Sequence, residues 1–241
     1  MYIHTMDENV GAAKQAAVFG LNSIGDSRRS SSLFAKLFKF VIYTVEKHNI
    51  DESHGLSHAF NILLHANKIY ESELKKCPEL AKYEKVIYVA SIVHDACDKK
   101  YMDVEVGLYE IEQLLFRENM GLSSSDICAI RDIISTMSYS KVKQHGFPAL
   151  GEYQHAYHIV READLLCAYD FDRCMIYQMS THNSNIEDAF GDAIRLFDNR
   201  VFRHNDHGLF ITDYSKQLFP TLEMQCYARI SHWRLILNRN I

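Results

Sequence analysis

His94 and Asp95 stand side by side at the end of the apolar run Tyr88-Val-Ala-Ser-Ile-Val93. The chain then turns charged, with Asp98, Lys99 and Lys100 close behind. Upstream, His54 and His58 lie four residues apart at the start of a helix-like stretch. Downstream, Asp164 sits in an apolar setting between Ile159-Val160 and Leu165-Leu166. Imidazole nitrogens and carboxylate oxygens together suit hard or borderline divalent ions. Two His and two Asp would leave coordination positions for water and substrate. No thiolate is among these residues, which disfavours a closed structural zinc site. An ion in such a site offsets the negative oxygens of a phosphate and lowers the pKa of its bound water. Phosphate ester or anhydride hydrolysis is the chemistry this set could support.

Each residue also has a plainer reading. A lone His is more often a satisfied core or surface residue, and a His-Asp dipeptide at a helix end can be chance. An ionisable pair ending an apolar helix is costly to bury without a partner, however, and a metal would supply one. Asp170 and Asp172 compete with Asp164, and one of them could pair with Arg173 at the surface. Asp98, three residues beyond Asp95, could take a proton from water as a general base. It could equally be a turn residue paired with Lys99. Lys99, Lys141 and Arg161 could neutralise substrate phosphates, although each alone is more often a solvated charge. Tyr101, Tyr139 and Tyr169 lie near these motifs and could stack on a base. The segment from Asn199 to His207 could form a lid or substrate wall, and reads rather as an ordinary polar loop.

The order of these residues resembles the HD-domain superfamily of metal-dependent phosphohydrolases. His58-Ala-Phe-Asn-Ile-Leu-Leu-His65 is similar to the helix that carries the family's first His. The stretch Val89 to Asp98 follows its form of an apolar run, His-Asp, two small residues and an acid. Asp164-Leu165 resembles its last Asp. The resemblance runs from about residue 50 to 180 and is nearest to small stand-alone members akin to bacterial nucleotide pyrophosphohydrolases. It implies His58, His94, Asp95 and Asp164 as ligands to one divalent ion, manganese or magnesium first, with iron, nickel or zinc according to supply. It also implies catalytic roles for Asp98 and His54, with Lys99, Lys141 and Arg161 on the substrate. The implied substrate is a nucleotide or another small phosphorylated molecule. Two departures stand out. Guanosine-tetraphosphate hydrolases carry a Glu-Asp pair after their His-Asp, and only Asp98 stands here. Gly146-Phe-Pro148 lacks the adjacent His pair of the cyclic-di-GMP subgroup. A non-catalytic nucleotide sensor is one rival. A dinuclear phosphodiesterase or oxygenase, using His145, His155 or His158 for a second ion, is the other.

Helices must position these residues. Only Pro78, Pro148 and Pro220 interrupt the 241 residues, and i, i+3, i+4 apolar spacing recurs while strand-like alternation is scarce. The pattern predicts an all-α bundle, with one domain over residues 31–241 and a partly mobile extension over 1–30. Helices are expected over about Leu33–Lys47, from Leu56 through Ile69, over Tyr83–His94, and from an Asp103 cap to Asn119. Others are expected from Ser123 to Met137, over His155–Met179, from Asn185, and from Thr212 to about Leu237. Tyr139–Gln154 reads as a loop. The apolar fraction of 47% permits a sizeable core. The net charge of -5 argues against long nucleic acid as partner. Six cysteines without C-x-x-C spacing suggest reduced thiols, and no apolar run of ~18 residues suggests a membrane span. A cytoplasmic or nucleocytoplasmic place is expected, with a homo-oligomer left open.

Overall fold

The structure, a computed structural model, describes residues 24–238, with side chains from Leu33 onward. The extension expected over residues 1–30 falls mostly outside them. The chain divides into two compact units, Met1–Lys36 and Leu37–Ile241. The described part of the first unit is the opening of helix α1 (Ile24–His48). All else concerns the second. Among the described residues there are ten α-helices, short 3-10 turns and no strand, as the scarcity of period-two patterning predicts.

Local chemistry sets most helix starts. Asp103 accepts from the backbone N–H groups of Glu105 and Val106 at 2.9 and 3.1 Å, opening α4 (Val104–Arg117). Ser123 and Asp126 form a reciprocal capping box at α5 (Ser124–Thr136). The core forms where α2 (Leu56–Leu74) packs on α3 (Glu84–Val93) and α7 (Gln154–Cys167), with α3 also against α5. Ile62, Ala66, Ile69, Ile87, Val89, Ala90, Ile159, Val160 and Ala163 are fully buried there. The alanines let helices approach closely, and each buried branched side chain contributes about 1.5–3 kcal/mol.

Two expected elements differ. The stretch read as a loop from Tyr139 begins with a helix, α6 (Tyr139–His145), which buries Tyr139 and Val142 three residues apart. Gly146, at φ 74°, stops it, so Gly146 and Pro148 follow the helix rather than forbid it. The long helix expected over His155–Met179 is two. α7 ends at Cys167, and α8 (Phe171–His182) starts anew because Asp170 accepts from the Arg173 backbone N–H at 3.0 Å. No Gly or Pro marks that break. α9 (Ile186–Asn199) and α10 (Asp213–Leu237) complete the set.

A further tightening matters for chemistry. α3 ends at Val93, and His94–Cys97 forms a 3-10 turn. Gly107 of α4 lies against that turn so closely that a Cβ would meet Cys97 Cβ at 2.6 Å and Cα at 2.7 Å. On the other side of the core, buried Glu162 of α7 accepts from the Ile211 N–H at 2.7 Å and the Thr212 hydroxyl at 2.6 Å. This ties segment 209–212 to α7 two residues before Asp164. All six cysteines are free. No helix among the described residues is long and apolar enough to cross a membrane.

Candidate metal centre and its cavity

His58 projects from the first turn of α2, His94 and Asp95 from the 3-10 turn after α3, and Asp164 from the last turn of α7. These segments pack on one another, so residues more than a hundred positions apart converge. His58 Nε2 lies 3.3 Å from Asp95 Oδ2 and 3.6 Å from Asp164 Oδ1. His94 Nε2 lies 3.1 Å from Asp95 Oδ1. Donor atoms of His58, His94 and Asp95 all fall within 4.8 Å of one another. Asp164 joins them through His58.

Each candidate donor atom is set by its surroundings. His94 Nδ1–H donates to the Ser91 carbonyl at 2.9 Å, which turns Nε2 toward the cluster. His94 Nε2 and Asp95 Oδ2 are buried and have no hydrogen-bond partner among the described residues. Orphaned buried acceptors beside a second imidazole and a second carboxylate fit a divalent cation by charge and by donor type. Burial opposes charge on His94, but the adjacent Asp95 carboxylate outweighs it and holds the ring up at about 9. An ion must therefore compete with a proton for Nε2. Burial pushes His58 down, against the pull of Asp164. Burial would raise both Asp95 and Asp164, yet the neighbouring imidazoles hold them below the usual carboxylate range.

The cluster forms part of the wall of a cavity of about 400 Å³. His54 lines it too. Its Nδ1 lies 2.7 Å from the Ser53 hydroxyl and 3.1 Å from that of Tyr101, whose own proton goes to Asp51. Lys100 Nζ donates to His54 Nε2 at 3.0 Å. Burial first, and Lys100 and Arg173 among the nearby charges, bring His54 down to about 4. Asp98 lines the cavity but pairs with Lys100 rather than Lys99: Oδ1 accepts from the Lys100 N–H at 2.9 Å, and Oδ2 is 3.4 Å from Nζ.

The phosphate-binding residues expected from sequence divide. Lys99 and Lys141 line the cavity, Lys141 resting its ammonium on the Ser135 carbonyl at 2.5 Å. Arg161 does not. It is 1% exposed, donates to the Leu209 carbonyl at 2.5 Å and packs over the Phe147 ring at 4.8 Å. The Leu209 carbonyl and the Phe147 ring, not the cavity, take up its guanidinium.

Two arginines that sequence reasoning passed over take its place. Arg173 does not pair with Asp172, which binds Arg229 and Trp233 instead. Its Nη1 donates to the Ser53 carbonyl at 3.1 Å and reaches the His58 ring nitrogens at 2.8 and 2.9 Å. Arg200 lines the cavity from the segment read as an ordinary loop, where α9 gives way to a turn at Val201–Arg203. The position of Arg173 nine residues after Asp164 was the available signal for the first. The second lies in the segment for which a substrate wall was the less favoured reading.

Other expected residues lie elsewhere. His155 meets Glu73 at 3.3 Å, His158 meets Gln154 at 3.1 Å, and His145 is exposed at the end of α6. Among the described residues no second group of three metal-type donors comes together. Of the three tyrosines considered for stacking, Tyr139 alone lines the cavity, while Tyr177 of α8 lines it unforeseen.

No protein-family model and no curated protein matches the chain. The fold is similar to the crystal structure of a Lactobacillus plantarum protein, at a TM-score of 0.62 and 18% identity, covering 84% of this chain and 97% of that one. At that identity the likeness speaks to the arrangement of helices alone.

Proposed function

We propose that the protein is an HD-type, metal-dependent phosphohydrolase acting on a nucleotide or another small phosphorylated substrate. The observation that carries the reading is the convergence of His58, His94, Asp95 and Asp164 at one end of a cavity walled by lysine and arginine. A divalent ion held by those four would neutralise phosphate charge and lower the pKa of water. Manganese or magnesium suits the mixed nitrogen and oxygen donors, as do iron, nickel and zinc. The remaining roles belong to the chain itself. Arg173 and Lys141 face the cavity as donors for phosphate oxygens. His54 and Asp98 are the two groups placed to take a proton.

The test is a panel of nucleoside mono-, di- and triphosphates and cyclic nucleotides, assayed for phosphate and pyrophosphate release with several metals. Turnover by the wild type, with metal and activity both lost in Asp95→Ala, is the expected result. Stoichiometric metal retained by Asp95→Ala would refute the ligand assignment. Tight nucleotide binding without release of either product would identify a sensor rather than an enzyme.

A further inference from the structure

We infer that the cavity selects its substrate by a chain of two or more phosphates rather than by a nucleobase, and that Arg200 is the residue that reads the second phosphate. The inference rests on the phosphohydrolase reading and narrows it to a substrate class.

The first observation is an imbalance of charge on the cavity wall. Lys99, Lys100, Lys141, Arg173 and Arg200 line the cavity. The acids on its wall are already engaged. Asp95 and Asp164 belong to the cluster, Asp98 holds Lys100, and Asp170 caps α8. The Arg200 side chain has no carboxylate within ion-pair distance and makes no hydrogen bond to any described residue, while the backbone N–H of the residue donates to the Leu196 carbonyl. Its one contact of note is the Tyr139 ring, 4.5 Å from its guanidinium carbon. A guanidinium carries five N–H donors in a planar fork. The fork is half-buried and open to the cavity, and an oxyanion with several oxygens would take the place of water on it. Burial disfavours the charge of Arg200 while Asp164 favours it, and a bound anion would add to that support. Stacking on Tyr139 holds the fork in one orientation, as bidentate phosphate recognition requires.

The second observation concerns the aromatic side chains of the same wall. A base needs an open ring face to stack on. Tyr139 is covered by Arg200, with Lys143 5.7 Å from the same ring. Tyr177 carries Lys100 at 4.8 Å and the edge of His54 at 5.4 Å. Phe197 is fully buried, its ring packed on Phe171 and Phe202. The faces that could hold a base are taken by cations or by core. The cavity therefore offers donors for phosphate oxygens and no open aromatic face for a base, and the aliphatic lining from Ile134, Met137, Leu165 and Leu196 has no hydrogen-bonding edge to tell one base from another. A phosphate at the cluster would have His58 and its neighbour Arg173 beside it, and the rest of the cationic wall, Arg200 with it, remains for further phosphates of the chain.

The test uses the full chain loaded with manganese, as wild type, Arg200→Ala and Arg200→Lys. Calorimetry measures binding of inorganic phosphate, pyrophosphate and tripolyphosphate, and kcat/KM is compared for nucleotides differing in base and in phosphate number. Wild type should bind pyrophosphate about 10–100-fold more tightly than phosphate, the range expected for charge-assisted hydrogen bonds. Arg200→Ala should lose that margin while keeping its affinity for phosphate, and Arg200→Lys should recover part of it. Base identity should change kcat/KM less than roughly tenfold, the size of one such step. Pyrophosphate binding unchanged in Arg200→Ala would overturn the inference, as would a strong preference for one base. Retained phosphate affinity reports that the variants are folded. If no nucleotide is hydrolysed yet Arg200→Ala still loses pyrophosphate, the subsite stands and the phosphohydrolase reading falls.

Discussion

Lys100 holds both groups that could accept the proton of an attacking water. Its ammonium is 3.0 Å from His54 Nε2 and 3.4 Å from Asp98 Oδ2. Because Nε2 accepts from Lys100, the ring proton of neutral His54 sits on Nδ1, toward the Ser53 hydroxyl. The Nε2 lone pair is thus taken by the Lys100 ammonium, and His54 could accept a proton there only with Lys100 turned away, whereas the Asp98 carboxylate keeps further lone pairs. Asp98 lies closer to the cluster in sequence and is not needed as a ligand. Replacing it with Ala should lower turnover by ~10²–10⁴-fold, the usual loss for a general base, and leave metal content unchanged. Elemental analysis beside steady-state kinetics checks both parts. Full turnover in Asp98→Ala would transfer the role to His54, and loss of metal would make Asp98 a ligand. The residue types were legible in the sequence because ionisable groups ending apolar helices need a reason to be there. Arg173 and Arg200 were not, because an arginine in a polar stretch looks solvated until the fold turns it inward.

Between residue and fold stands the turn at His94–Cys97, whose place depends on how closely α4 can approach it. Gly107 is the device. A glycine inside a helix costs about 1 kcal/mol against alanine, so alanine would be favoured by propensity alone. Here a Cβ would strike the Cys97 backbone, which cannot swing aside as a flexible side chain can. Gly107→Ala should therefore destabilise by about 1–3 kcal/mol, the cost of overpacking, despite its better propensity. It should also weaken metal binding, since the displaced turn carries His94 and Asp95. Urea unfolding with and without manganese would separate these effects, and a more stable variant would refute the argument. The helices whose starts carry a side-chain cap, such as α4, α5 and α10, were readable in advance because Asp103, Ser123 and Thr212 signal locally. α6 was hidden by the Gly and Pro that follow it. The break between α7 and α8 was hidden because the Asp170 cap lies within an unbroken helical pattern. The 3-10 form of the His94 turn is set by packing, which periodicity does not report.

For the whole molecule, buried histidines make acid the most informative stress. His204 is fully buried among the rings of Tyr139, Tyr169 and Phe210, and neither ring nitrogen has a partner among the described residues. Burial, with Arg200 and Arg161 nearby, pushes it down to about 3. His158 falls to about 4 through burial and the charge of Arg161. A histidine whose folded pKa is depressed binds its proton more readily when unfolded, where the value is about 6.5. Stability from such groups is complete above pH 6.5 and declines as pH falls toward 4 and then 3. Each can contribute a slope of up to about 1.4 kcal/mol per pH unit. In chelator, where no metal complicates the reading, the urea midpoint should therefore drop steadily from pH 6.5 to 4.5. His204→Phe keeps a ring in the pocket and removes two unsatisfied nitrogens. It should leave stability at pH 7.5 equal or higher, since an unpartnered buried polar group is a cost. It should also flatten the acid slope by up to one proton. A loss of more than about 2 kcal/mol at pH 7.5, beyond what a small change of ring volume explains, would mean that His204 has a hydrogen-bonding role. An unchanged acid slope would mean that other groups, His158 first among them, carry the acid sensitivity.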